Sequence, residues 1–342
     1  MSKKAATISF FETFQSTHNS LNVHEENTIY WAIMYDDIKL FISFTERESF
    51  DANMALVSDY YPITGNVYSL LELCCYYGSV NCFKFLRTEF NLQINHTCLE
   101  FSFLGGKPDI MNECLKYQTP DQNCMVLAIA SHNIDFVTFL MNEYDLKIDL
   151  SACIKFNNLQ AFFVYLDQTK DLNECYILSP SFHIPSICEY FLENNVKIDA
   201  TDSENEKTAL HNAAYYNCVE VMQFLLSHGL CVEEKSKYLK TPLHFAAENN
   251  SIESVEFLLS NGAKIDARAY YMETPLHYAC NYNCIETVKL LILNGANINA
   301  KTKQSKTALH FAVKNNCKNI VNILITYGIS LNIRDKSRKT AL

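Results

Sequence analysis

Glycine is scarce. The 342 residues contain only eight, where average usage of roughly 7% would place about 24. Folds that cradle phosphates or build tight catalytic loops lean on glycine, so the shortage weighs against them. No HExxH, GxSxG or GxGxxG motif occurs. Gly105-Gly106-Lys107 runs into Pro108 instead of Ser or Thr and lacks the earlier glycine of a phosphate loop. No apolar run is long enough to span a membrane. The opening MSKKAATISFFETFQ is too polar and too short-cored for a secretory signal. The fourteen cysteines are therefore expected as reduced thiols in the cytoplasm, with the nucleus the other compartment left open. CxxC and Cys/His spacings that suggest zinc are missing too, and no metal or cofactor is expected. Basic residues are outnumbered, giving a formal net charge of -10. That favours solubility and argues against a nucleic-acid partner.

Half of the residues are apolar, enough for a large core. The charge is uneven: residues 1–200 are acidic on balance, whereas 296–342 carry nine basic residues and one acid, Asp335. A solvated lysine-rich end explains this. Binding of nucleic acid there is a third class of function, open to a salt-dependence test.

A period of 33 dominates the second half. Thr208, Thr241, Thr274, Thr307 and Thr340 keep it, as do His211, His244, His277 and His310. Gly229, Gly262, Gly295 and Gly328 keep it as well, and so do Asn217, Asn250, Asn283 and Asn316. Within one unit the letters follow helix chemistry. Thr241 caps a helix, and Pro242 fits the first helical position, where its missing N–H would be unpaired anyway. Ala246 and Ala247 allow close helix approach, and Asn250 suits a left-handed turn. Ile252, Val255, Phe257, Leu258 and Leu259 give a second helix its apolar face. Gly262 ends that helix, and Ala263 to Asp266 lead into a projecting loop. Cys218, Cys284 and Cys317 share one repeat position and, like the adjacent Cys74-Cys75, read as small buried apolar residues.

The strings TPLHFAA, TPLHYAC, TALHNAA and TALHFAV, with NGAKIDA and NGANINA, resemble the ankyrin signature over about 201–342. The resemblance implies an all-α solenoid of stacked helix-turn-helix units with projecting loops, four full units and a truncated fifth. It also implies a concave surface that holds partners and performs no catalysis. Two departures stand out. The loop position two residues before each Thr, often Gly in the family, is Glu206, Leu239, Met272 or Ser305, so distorted or stiffer hairpins are expected. The outer turn, usually Gly, is Asn.

Upstream the strict period fails but the style persists. YYGSVNCFKFL (76–86), SHNIDFVTFL (131–140), FNNLQAFFVYL (156–166) and HIPSICEYFL (183–192) read as helix pairs without the projecting loop. Asn27–Phe44, with the lone Trp31, is an earlier pair, and 49–69 reads as an irregular connection. Asp36-Asp37 reads as a solvated acidic pair. SLLELCCYYGSVNCFKFL and SHNIDFVTFLMNEYDL resemble the uncharacterised helical region that precedes ankyrin repeats in a large family from flagellate protists. The expected organisation is a leader at 1–27, degenerate ankyrin-like helical repeats at 28–200 and ankyrin repeats at 201–342.

The repeat histidines fall one per unit, roughly 10 Å apart by helix packing, too far to share a metal at about 2 Å. They read as partners of Thr208, Thr241, Thr274 and Thr307. The resemblance assigns partner contact to loop tips and first-helix ends, here Tyr215, Tyr216, Lys237, Tyr238, Tyr270, Tyr271, Tyr282, Lys303 and Lys306. Tyrosine suits interfaces because it offers rigid area with a polar tip. The expected function is a non-enzymatic scaffold for a protein partner, with no small-molecule substrate. The alternative is an enzyme, or the regulatory arm of one, with chemistry hidden in 1–200. Phe311, Ile320, Val321, Ile323, Leu324 and Ile325 look like interior residues of the last unit, so a frayed end or self-association there is expected.

Overall fold

The computed structural model describes residues 26–57, 61 and 67–341. The leader expected at 1–27 lies outside them up to residue 25. The chain divides into two compact units, one ending at Thr169 and one beginning at Lys170.

Among the described residues the first unit is built from five helix pairs. They are α1 (Ile29–Met34) with α2 (Ile38–Thr45), then α3 (Leu70–Tyr77) with α4 (Val80–Glu89), then α5 (His96–Gly105) with α6 (Pro108–Cys114). Next come α7 (Gln122–Ala130) with α8 (Ile134–Tyr144) and α9 (Leu150–Lys155) with α10 (Leu159–Thr169). First helices stack in order: α1 on α3, α3 on α5, α5 on α7 and α7 on α9. Asp37, Ser69, Asn95, Asp121, Asn133 and Asp149 cap helix N-termini with their side chains. The approach of α3 to α5 depends on Gly78 and Gly105. A Cβ on Gly105 would sit 2.1 Å from the Cys75 carbonyl oxygen, and one on Gly78 would sit 2.5 Å from that of Gly105. Gly105 is thus a packing glycine.

The stretch expected to be irregular holds two short antiparallel strands, β1 (Ala55–Val57) and β2 (Val67–Ser69). Tyr68 explains them. Its side chain is buried against Tyr61 and Phe101, and strand alternation turns its neighbours Val67 and Ser69 outward.

The second unit opens with α11 (Leu172–Leu178), a short 3-10 turn (Ser179–Phe182) and α12 (Pro185–Glu193). Four regular pairs follow: α13 (Ala209–Tyr215) with α14 (Val219–Ser227), α15 (Pro242–Glu248) with α16 (Ile252–Ser260), α17 (Pro275–Asn281) with α18 (Ile285–Leu293), and α19 (Ala308–Lys314) with α20 (Lys318–Thr326). First helices pack on first helices and second on second along the row. Leu210, Leu243, Leu276 and Leu309 fill the first-helix layer, and Leu225, Leu258, Leu291 and Leu324 the second, all buried. All fourteen cysteines are free thiols; thirteen are buried and Cys231 is exposed, as small core residues would be.

One geometric rule runs through both units. The residue two before each second helix has positive φ: Asp36, Gly78, Gly106, His132 and Asn157 in the first unit, His183, Asn217, Asn250, Asn283 and Asn316 in the second. Glycine, asparagine and aspartate tolerate this left-handed conformation best. The bend is therefore common to both units. What separates them is the linker to the next pair, about six residues (90–95) after α4 and about fourteen (228–241) after α14.

Candidate protein-binding surface of the second unit

Each regular pair begins with a reciprocal cap. The hydroxyls of Thr208, Thr241, Thr274 and Thr307 lie 3.0, 2.9, 2.9 and 3.0 Å from Nδ1 of His211, His244, His277 and His310. The same Nδ1 accepts the threonine's own backbone N–H at 3.0 to 3.1 Å. Nδ1 is thereby the acceptor and Nε2 carries the proton. From Nε2, His211 reaches the carbonyls of Glu234 and Lys240, both at 3.2 Å. His244 reaches that of Glu273 at 3.2 Å, and His277 that of Lys306 at 3.3 Å. Each of these three rings thus ties its helix to the next projecting loop. Burial disfavours the charged form and lowers the pKa of His211 to about 4, His244 to about 3 and His277 to about 4. These are structural, neutral imidazoles, as the sequence reading expects.

The loops are regular hairpins. Ser236 donates to the Lys240 carbonyl, Ala269 to Glu273, Thr302 to Lys306 and Asp335 to Lys339, at 2.9 to 3.0 Å. Glu206, Leu239, Met272, Ser305 and Arg338 occupy the left-handed position. Of the distorted or stiffer hairpins expected from the missing glycines, distortion is not seen: the hairpin keeps its shape, and the backbone of these non-glycine residues carries the left-handed strain. Successive tips are then joined by one backbone hydrogen bond each. Lys237 donates to Asn205 at 2.8 Å, Tyr270 to Tyr238 at 2.9 Å, Lys303 to Tyr271 at 2.8 Å and Lys336 to Gln304 at 2.9 Å. Donors and acceptors alike recur every 33 residues.

This row of tips gathers part of the residue set expected to meet a partner. Tyr238, Tyr270 and Tyr271 are each about half exposed. The Tyr270 and Tyr271 rings meet edge to face at 5.0 Å, and the Lys303 ammonium lies 4.2 Å from the Tyr270 ring centre. Lys237 is tethered at the next tip, its ammonium donating to the Glu204 carbonyl at 3.3 Å. Lys306 contributes its carbonyl to His277 and its N–H to Thr302 Oγ1, so its backbone is structural.

The first-helix ends form a second group around Glu248, itself one of the helix-end positions. Lys240 pairs with the Glu248 carboxylate at 2.8 Å while its ammonium sits 4.4 Å from the Tyr278 ring centre. Tyr282 is exposed, and burial with the neighbouring Glu248 charge raises its pKa to about 12. Tyr215 is half-buried beside the same carboxylate, which raises its pKa too, after burial. The Tyr215 carbonyl accepts from Asn249 Nδ2 at 2.8 Å and Ser251 Oγ at 2.6 Å. Tyr216 turns its ring edge-on to Tyr215 and is more buried.

Two family descriptions match the sequence. Residues 90–165 match a domain of unknown function, DUF3447, and residues 179–269 and 270–335 match "Ankyrin repeats (3 copies)". The first match covers the α5 to α9 pairs and most of α10; the second starts at the 3-10 turn after α11. A search of curated proteins finds no match.

Proposed function

The chain is an ankyrin-repeat protein with a DUF3447 domain ahead of its repeats, and we propose that it works as a non-enzymatic scaffold holding a protein partner on the concave face of the repeats. Ankyrin repeats are protein-interaction modules, and no helix among the described residues is long and apolar enough to cross a membrane. The supporting observation is the row of hairpin tips. Backbone hydrogen bonds hold it in register, and half-exposed tyrosines and a ring-stacked lysine project from a rigid frame. Rigid aromatic area loses little entropy when it docks, which is how a few residues come to dominate an interface.

Tyr238, Tyr270, Tyr271 and Lys303 form the centre of the contact, with Lys237 and Lys306 beside them. Tyr215, Tyr216 and Tyr282 extend it along the helix ends. The buried free thiols suit a reducing compartment, and the cytoplasm is the location this reading proposes, with the nucleus as the other. Burial raises the pKa of Cys82 and Cys153, the latter to about 12, which makes them poor nucleophiles and weighs against thiol chemistry in the first unit. Affinity capture with mass spectrometry identifies the partner. The double substitution Tyr270→Ala, Tyr271→Ala should then weaken binding by upward of about 2 kcal/mol; unchanged affinity would put the contact elsewhere.

The last pair offers a further surface. Val321 is half-exposed where the equivalent Val255 and Val288 are fully buried, Val313 is half-exposed where the equivalent Ala247 and Cys280 are fully buried, and Ile325 is exposed. Self-association through Phe311, Val321 and Ile325 is the corresponding proposal. Sedimentation over a concentration series tests it; a monomer throughout would remove it.

A further inference from the structure

The first turns of α5 and α7 bring together three chemically different ligand groups. The Nε2 of His96 lies 3.1 Å from Oδ2 of Asp121. The Sγ of Cys124 lies within 4.8 Å of both atoms. One turn along α5, Glu100 brings Oε1 to 4.0 Å from the same imidazole nitrogen. We propose that His96, Glu100, Asp121 and Cys124 bind one borderline-soft divalent cation of the zinc type, which cross-links the two helices.

The geometry is close to what such an ion requires. Bonds of about 2.0 to 2.1 Å to nitrogen and oxygen at tetrahedral angles separate those ligand atoms by about 3.3 Å, and a sulfur ligand at about 2.3 Å lies about 3.6 Å from them. The His96–Asp121 separation already fits, and the Cys124 sulfur and the Glu100 oxygen have to draw in by about 1 Å. The two oxygens of Asp121 divide their work: Oδ1 caps α7 by accepting the Cys124 N–H at 3.1 Å, which leaves Oδ2 to face His96. The site is open on one side. The His96 and Asp121 side chains are 41% and 46% exposed, while Cys124 is fully buried beneath them. An ion therefore enters from solvent and meets the thiol last.

Charge points the same way. Glu100 is buried, and no lysine or arginine pairs with it or with Asp121 among the described residues. Glu100 meets the Asn123 side chain and the His96 ring, and a divalent ion offsets the remaining cost of burying its carboxylate. Binding displaces the Cys124 thiol proton to solvent, because a metal-bound cysteine is a thiolate. The mixed N, O and S donor set favours zinc or cobalt over magnesium or calcium, which prefer oxygen alone. The spacing hides all this from the sequence, because the two halves of the site lie on different helix pairs.

Cobalt(II) titration of the reduced, chelator-treated full chain is the test. One equivalent should produce a thiolate-to-cobalt charge-transfer band that zinc abolishes. Cys124→Ser should remove the band, and His96→Ala should weaken binding at least tenfold. Cys231→Ser, at the exposed cysteine, should change nothing. No band in the full chain, or an undiminished band in Cys124→Ser, overturns the site. If Cys124→Ser does not fold, the partly exposed His96→Ala decides alone, and unchanged cobalt affinity there overturns the proposal.

Discussion

Asn217 Oδ1 accepts the backbone N–H of Ser254 at 2.9 Å, so the bend residue of one repeat caps the second helix of the next. Asn250 does the same for Thr287, accepting its N–H at 3.2 Å and its hydroxyl at 3.0 Å. In the first unit Asp36 plays this part for Asn81 and Cys82. Glycine would satisfy the left-handed bend and lose the cap. Asn250→Gly should therefore cost about 1 kcal/mol. Asn250→Ala should cost about 2 to 3 kcal/mol, because it loses the cap and adds left-handed strain. Urea denaturation of both variants checks the order; an unchanged Asn250→Gly would show that the cross-repeat bond contributes nothing, and equal losses would show that the left-handed strain does not.

The buried histidines make stability depend on pH. Their folded pKa values, about 4 for His211, about 3 for His244 and about 4 for His277, lie below the ordinary 6.5. Above pH 6.5 neither state is protonated and their contribution is whole. As pH falls from 6.5 toward 4, the unfolded chain takes up protons the folded chain refuses, and stability drops. Each ring forfeits on the order of 3 kcal/mol over that window. Urea midpoints for the full chain should fall steeply between pH 6.5 and 4.5, with a slope near three protons. A flat profile down to pH 5 would contradict the assignment of buried neutral rings.

Leu239 and Met272 hold a left-handed backbone with their side chains about 40% exposed, so they have strain to release and little packing to lose. Leu239→Gly and Met272→Gly should each stabilise by about 0.5 to 1 kcal/mol, the strain relieved less the entropy glycine adds to the unfolded chain. Thermal unfolding reads this directly. A lower melting temperature would mean that these side chains contribute packing that outweighs the strain.

Gly105→Ala tests the opposite kind of glycine. The new methyl group would meet the Cys75 carbonyl and force α3 and α5 apart, costing about 3 kcal/mol. Gly262→Ala meets nothing within 4 Å, so its cost should come from its positive φ alone, about 1 to 2 kcal/mol. Similar losses at both positions would deny the close α3–α5 approach.

Much of the second unit was legible because a 33-residue period writes each contact four times. Thr241 and His244, three apart at a helix start, announce a cap, and the structure has it. The first unit was legible in outline only. SHNIDFVTFL marks a helix pair because His132 and Asn133 bend and cap the chain there. Nothing local marks the strands at 55–57 and 67–69, which depend on Tyr68 burying itself against Phe101, more than 30 residues away. Asp36 and Asp37 read as a solvated pair in the sequence, yet they form a cross-pair cap and an N-cap. Glu248 meets Lys240 within its own unit, whereas Tyr282 reaches it only once the next unit is stacked.

His310 completes the comparison among the repeat histidines. Its Nδ1 bonds with Thr307 match those of the other units, but its buried Nε2 finds no partner among the described residues. His244 instead spends that N–H on the Glu273 carbonyl and packs edge-on against the next unit's Tyr278 at 5.4 Å. His244→Ala removes a cap, a loop tether and a ring contact, and leaves a cavity in a fully buried site. It should cost about 3 to 4 kcal/mol. His310→Ala removes the cap alone and relieves an unsatisfied N–H, so about 1 kcal/mol is expected. Denaturation midpoints of the two variants, measured at pH 7.5, separate these values. Equal costs would mean that the tether from histidine to the following hairpin carries no net stability, and that the threonine cap is the whole of what the ring provides.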